Sequence, residues 1–391
     1  VQNQSGKINV KEVYGEIRVP ILADMFLVDE FSVEAGARYS DYSTIGGLLN
    51  YKFGAQYSPF DWMKFRAIYN KAARAPSIVE LFLNGDQGFP SYVDPCNATP
   101  GRSPAALAIC QAQAPLIDFS SFQQINSQVQ AFAFGNPDIS EETAKTFTAG
   151  VVLTPNLGIG RFSATVDYYK IKIEDIITGF GAGFFLNQCY FAGDPAACDR
   201  ITRDPGTGQV TAINTATGNS GTYKSSGVDL ALNYVAPFAD LGLGIPGRIR
   251  FQELFSWTEE ISFGGANFSG VTGGGIGGTF PEFKSTMTLA YDSDDFTAQM
   301  RWNWQSDVED AVLCNIGENC AEDLKGLSYF DLSLRKKIGD NFELTGIVQN
   351  LFNQQAEKTA GGFFNEGGTN IAYFNPVILG RYFTIQAKVK M

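Results

Sequence analysis

The chain has 391 residues, 44% of them apolar and 13% aromatic, with 29 Lys+Arg against 41 Asp+Glu for a net charge of -12. An acidic surface repels nucleic acid, and so large an aromatic content excludes a disordered chain. The sequence contains no histidine, which removes Ser-His-Asp and Cys-His catalysis and any His-containing zinc or non-haem iron centre.

Val1 to Lys7 carry neither the basic region nor the apolar core of a signal peptide. The longest apolar stretch, Val19 to Val28, is broken by Pro20 and Asp24, well short of the ~18 residues of a spanning helix. Nearly every ordered segment has period two, the strand signature. From Glu30 onward, Phe31, Val33, Ala35, Ala37 and Tyr39 share one face, and Glu30, Ser32, Glu34 and Arg38 share the other. Phe162 to Tyr168, Phe330 to Leu334 and Phe383 to Met391 repeat the pattern. Thirteen such segments begin near residues 7, 28, 46, 61, 142, 160, 222, 248, 281, 295, 327, 341 and 380. Many run about ten residues or more, the length of a tilted strand crossing a bilayer with its apolar side toward lipid. A soluble sandwich or propeller would bury that side in a core and have loops of more even length.

The connections decide between these readings. Short ones follow the first, third, fifth, seventh, ninth and eleventh segments: Pro20–Asp29, Ser58–Asp61, Pro155–Gly160, Pro237–Gly247, Asp292–Asp295 and Gly339–Asn341. Long ones, about 75–141, 174–221, 262–280, 308–326 and 354–379, follow the fourth, sixth, eighth, tenth and twelfth. The second connection, near Asp41–Gly46, is the one short even-numbered member. Tight turns at one end and long loops at the other are the pattern of a membrane barrel meander. An odd strand count leaves an open edge, so the chain is expected to be the later part of a larger barrel.

Three cysteine pairs fall in the long loops: Cys96/Cys110, Cys189/Cys198 and Cys314/Cys320. Close pairs in loop composition suit disulfides of an oxidising compartment. Zinc held by four thiolates from two loops, without any Cys-x-x-Cys, and free buried thiols are the rival readings.

The residues also resemble a family. Lys71-Ala72-Ala73-Arg74-Ala75-Pro76-Ser77-Ile78-Val79-Glu80-Leu81-Phe82, Asn136-Pro137-Asp138-Ile139-Ser140-Glu141-Glu142-Thr143 and Ser225-Ser226-Gly227-Val228-Asp229-Leu230 occur in that order. Asp331-Leu332-Ser333-Leu334, Val348-Gln349-Asn350-Leu351-Phe352-Asn353 and Asn375-Pro376 through Gly380-Arg381-Tyr382-Phe383 follow. The series resembles the C-terminal barrel of TonB-dependent outer-membrane receptors across nearly the whole chain. The resemblance implies an all-β transmembrane antiparallel meander barrel, here about the last 13 strands of a 22-stranded barrel, without the N-terminal plug and transducer-binding segment. Met391 departs from the aromatic residue usual at the end of such barrels.

The same resemblance implies an active importer in the bacterial outer membrane, with long loops extracellular and the C-terminus periplasmic. Its partners would be outer-membrane lipid and lipopolysaccharide, TonB with its inner-membrane energising complex, and a ferric siderophore or oligosaccharide. No enzymatic activity, cofactor or metal is expected. A passive porin and a surface adhesin barrel are the alternatives.

Ligand contacts are expected from aromatic and amide residues of the long loops: Phe89, Tyr92, Phe184, Phe185, Asn187, Tyr190, Phe363, Phe364, Asn365 and Tyr373. The competing role for each is a loop core or an interfacial girdle, and the girdle suits Trp302 and Trp304 best. Gly273 to Gly278 contain G-x-G-x-x-G but lead into a strand rather than a helix, so no pyrophosphate site is expected. Asp292-Ser293-Asp294-Asp295 lacks the later glycine and glutamate of a calcium loop. Glu141-Glu142 and Glu259-Glu260 are neighbours on strands and diverge to opposite faces.

Overall fold

The structure, a computed structural model, describes residues 5–99, 102–272, 278–310, 324–357, 365–366 and 369–389. Thirteen strands form one antiparallel meander: β1 (Val10–Met25), β2 (Val28–Tyr42), β3 (Gly46–Phe60), β4 (Met63–Arg74), β5 (Glu142–Leu153), β6 (Arg161–Glu174) and β7 (Thr222–Pro237). It continues through β8 (Arg248–Phe263), β9 (Phe283–Asp292), β10 (Phe296–Gln305), β11 (Leu327–Ile338), β12 (Phe342–Gln349) and β13 (Tyr382–Val389). Each strand pairs with its sequence neighbours, as period-two segments joined in order require. Among the described residues β1 and β13 do not pair with each other, so the sheet is not closed.

The register lines up the two faces across the whole wall. On the polar face Arg18 donates to Glu30 Oε1 at 2.7 Å, Lys52 to Glu16 at 2.5 Å, and Arg66 to both carboxylate oxygens of Asp167 at 2.7 and 3.1 Å. On the other face Tyr234, Phe251, Leu289, Met300, Leu332, Val348 and Phe383 succeed one another directly across β7 to β13. Side chains alternate because the pleat does, except where the register shifts opposite Ser226 and Gly227. There Glu259 meets the Tyr168 hydroxyl and Glu260 meets Lys224 on one face, so the divergence expected of this pair does not hold.

One connection differs from the sequence reading. The turn anticipated over Pro20–Asp29 is mostly strand, and β1 and β2 continue to a two-residue turn with Met25 opposite Val28. Pro20 is accommodated by a register shift between Pro20 and Leu22 on the edge strand, where a missing N–H breaks no second ladder. The buried apolar clusters lie largely in the long connections.

Candidate ligand-binding site

The loop-end motifs first fix where the loops leave the wall. After β4, Ser77 caps the short helix α1 (Ile78–Phe82) in a capping box with Glu80. Arg74 at the strand end grips Glu80 through Nη1 and Nη2 (2.9 and 3.0 Å) and Glu142 of β5 through Nε (2.6 Å). The Arg74 hydrogen bonds, with those of Ser77, hold the Glu80 carboxyl below its usual range. Gly135 lies so close to α1 that a Cβ there would stand 2.6 Å from the backbone of Leu81, Phe82 and Leu83. The Arg74–Phe82 and Asn136–Thr143 motifs thus form one joint, with Leu81, Ile139 and Ile177 buried beneath it.

Beyond the joint, the described residues of 75–141 and 175–221 fold into a single body. Its five-stranded sheet runs Ile201–Arg203, Val210–Asn219, Gln130–Phe134 and Asn84–Gly88, with Ile177–Phe180 also pairing with Val210–Asn219. The join between the two loops is a parallel pairing of Ala212–Ala216 with Gln130–Phe134. Helices α2 (Pro104–Gln113), α3 (Ala182–Tyr190) and α4 (Pro195–Cys198) pack on this sheet. The Cys96–Cys110 and Cys189–Cys198 disulfides form, with S–S distances of 2.01 and 2.03 Å. Cys314 and Cys320 lie outside the described residues.

An ion pair sits in the middle of this body. Arg203 donates to both Asp94 oxygens (2.7 and 2.8 Å), to the Gly208 carbonyl (2.5 Å) and to the Tyr190 hydroxyl (2.7 Å). Asp94 and Arg203 side chains are 0% and 1% exposed. Burial works to lower the Arg203 pKa, but Asp94 and Tyr190 together carry it above its ordinary value. The Tyr190 hydroxyl in turn donates to Gln113. Burial, with the Asp94 charge adding to it, pushes the Tyr92 phenol up to about 12.

The candidate ligand residues divide by this packing. Tyr92, Phe185 and Tyr190 are buried in the core, Phe185 beneath the Arg200 guanidinium at 5.1 Å. Phe89 (57% exposed) and Phe184 (39%) remain open. On α3, Phe184 and Asn187 are exposed at i and i+3 while Ala182, Phe185, Leu186, Cys189 and Tyr190 point inward. Phe191, which caps α3, continues the exposed face and is 59% exposed. Phe180 stacks on Phe184 at 4.2 Å and holds its ring. Phe180 and Phe191 are additions to the sequence reading, and helical spacing from Phe184 is the signal that marks Phe191.

Tyr373 is buried in a second loop core with Val308, Leu324, Leu327, Phe374 and Val377, and its hydroxyl donates to the Ser306 and Lys325 carbonyls at 2.7 and 3.0 Å. Asn365 lies in a two-residue strand opposite Asn370. Phe363 and Phe364 lie outside the described residues. No group of three or more His, Cys, Asp or Glu among the described residues is placed to hold a metal. What the open face of α3 can do is stack a ring on Phe184 or Phe191 and hydrogen-bond its rim through Asn187.

The profile of a family described as TonB dependent receptor-like, beta-barrel, matches residues 2–351. No curated protein matches. Among solved structures, a mutant ferric enterobactin receptor from Pseudomonas aeruginosa superposes with a TM-score of 0.60 at 13% identity, over 98% of this chain and 45% of that one. The siderophore receptor PirA from Acinetobacter baumannii gives 0.59 at 15% identity, over 98% and 46%. The FrpB iron transporter from Neisseria meningitidis gives 0.52 at 14% identity, over 97% and 44%. This chain therefore spans a little under half the length of these proteins.

Proposed function

Because the chain belongs to the TonB-dependent receptor β-barrel family, we propose that it supplies wall and mouth to an outer-membrane importer energised through TonB. The long loops face the exterior and the turns face the periplasm. The ligand docks on the open Phe184–Asn187–Phe191 face, with Phe89 of the same loop body as a further contact. The observation that carries this reading is an aromatic and amide surface on a loop body braced by two disulfides and a buried ion pair. Bracing lowers the ordering cost of binding. TonB would engage a segment preceding these residues, and no covalent chemistry is needed from them.

A ferric siderophore with aryl chelating groups is the favoured ligand, in keeping with the siderophore and iron receptors of similar fold. An oligosaccharide is the second reading, because a phenyl face beside an amide also suits a sugar ring. Equilibrium binding of a ferric siderophore panel to the full-length receptor tests the site. Replacing Phe184 and Phe191 by Ala should weaken binding by about 1–2 kcal/mol for each ring, and unchanged affinity would remove the face from the site. Uptake that persists in cells without TonB would make the protein a passive porin. Induction by a carbon source rather than by iron starvation would favour the oligosaccharide.

A further inference from the structure

We propose that the ligand of the open Phe184–Asn187–Phe191 face is cationic: a ring that carries a positively charged group, whether in a ferric chelate or an amino sugar. The inference rests on that face as the binding site and adds the charge of what it takes. Residues 75–141 and 175–221 hold ten carboxylates, three arginines and no lysine. Asp86, Asp118, Asp138, Asp175, Asp194 and Asp199 are exposed, and none of the three arginines is. A surface of one sign concentrates ligands of the other and repels its own.

Each arginine is taken up within the body. Arg203 is buried against Asp94 and Tyr190. Arg102 donates to the Cys96 and Phe119 carbonyls at 2.8 and 2.6 Å. Arg200 lies over the buried Phe185 ring at 5.1 Å. Two of the exposed aspartates flank the helix that follows the ring face. Asp194 comes three residues after Phe191, and its N–H donates to the Gln188 carbonyl of α3 at 2.9 Å. Its carboxylate accepts from the Ala196 N–H at 3.0 Å as the N-cap of α4, and Asp199 caps the other end of that helix.

The face itself suits a cation. The π face of an exposed phenyl ring attracts a positive group, and Phe184 and Phe191 present two such rings. α3 ends at this face with no basic residue in its last turn, and the carbonyl end of a helix favours positive charge. The amide oxygen of Asn187 can accept from an ammonium. An anionic chelate finds the reverse, because no lysine or arginine is exposed among the described residues of the body. A strongly anionic ferric complex would dock against the field. The siderophore reading therefore narrows to complexes of positive charge, and the saccharide reading to amino sugars.

The test is equilibrium binding to the full-length receptor in non-ionic detergent at low ionic strength. The probes are an aryl-bearing ferric trihydroxamate in three forms alike in size, ending in an ammonium, an amide or a carboxylate. The ammonium form should bind on the order of tenfold tighter than the carboxylate form, with the amide between them. Added salt should narrow the gap. Asp194→Asn with Asp199→Asn keeps a capping side chain on α4 and should reduce the gap to about threefold or less. Asp340→Asn, in the turn between β11 and β12 at the opposite end of the wall, should leave it unchanged. Phe184→Ala should weaken all three forms alike. A glucosamine oligomer against its N-acetylated form repeats the comparison on a saccharide. Equal binding within a series, a preference for the carboxylate, or a gap untouched by the Asn pair would overturn the charge assignment, and the loss in Phe184→Ala would still leave the face as the site. Preferential binding of the glucosamine oligomer with no chelate bound would keep the charge and remove the chelate reading. Binding of no probe in either series would overturn both.

Discussion

Arg203 carries a full charge into the core of the loop body, where Asp94 supplies the counter-charge and Tyr190 and the Gly208 carbonyl take further donors. Such a pair adds little net stability over apolar packing, since desolvation offsets much of the attraction. Removing one partner is a different matter. Arg203→Met leaves Asp94 buried and uncompensated, and should destabilise the loop body by about 3–5 kcal/mol. Arg203→Met with Asp94→Leu should recover much of that loss. Limited proteolysis of residues 75–141 and 175–221 measures both, and a single variant as resistant as the double would refute the assignment. Tyr92 gives the pH dependence. Its folded pKa of about 12 lies above the ordinary value of about 10, so the fold favours the neutral phenol. The contribution is fully present below about pH 10 and is lost as pH rises toward about 12. Protease resistance of the loop body should fall across that window, and less steeply in Tyr92→Phe.

At the scale of elements, α3 presents the open Phe184–Asn187–Phe191 face proposed for the ligand and is tied to α4 by Cys189–Cys198, which closes a loop of sequence separation 9. Replacing both cysteines by Ala should cost the loop body about 2–3 kcal/mol by loop-closure entropy. It should also weaken ligand binding, since α3 then pays ordering entropy on docking. Affinity equal to wild type under reducing conditions would show that the brace does not serve the site. The wall strands were legible because each carries its own signal: alternation across ten or more residues names both the strand and its lipid face, and Phe31 to Tyr39 need no distant partner to be read. The loop body was not legible, because its organising contact is the parallel pairing of Ala212–Ala216 with Gln130–Phe134, more than eighty residues apart. Tyr190 and Phe184 show the consequence for the site. Both are aromatic residues in loop composition, and what separates them, one turned into the core and one out, is the period of a helix that the flanking glycines and prolines conceal. Asp94 and Arg203 lie 109 residues apart, with no local pattern to join them.

Over the whole molecule, the physics of the wall turns on its two free edges. β1 has 16 residues and β13 has 8, and each is paired on one side only among the described residues. In hydrocarbon an unsatisfied backbone group costs several kcal/mol, which is why spanning sheets close. An open sheet of these thirteen strands is thus no stable solution in a bilayer, and in water its edges are templates for further pairing. The loop body with its proposed ligand face hangs from this wall, so its activity depends on what pairs with β1 and β13. Refolded into detergent micelles by themselves, the 391 residues should yield aggregates rather than a monomer that migrates differently before and after boiling. A longer chain that adds the strands between the two edges should give that monomer and restore saturable ligand binding. A heat-modifiable monomer from the 391 residues alone would mean that β1 and β13 find each other, and that the wall closes at thirteen strands.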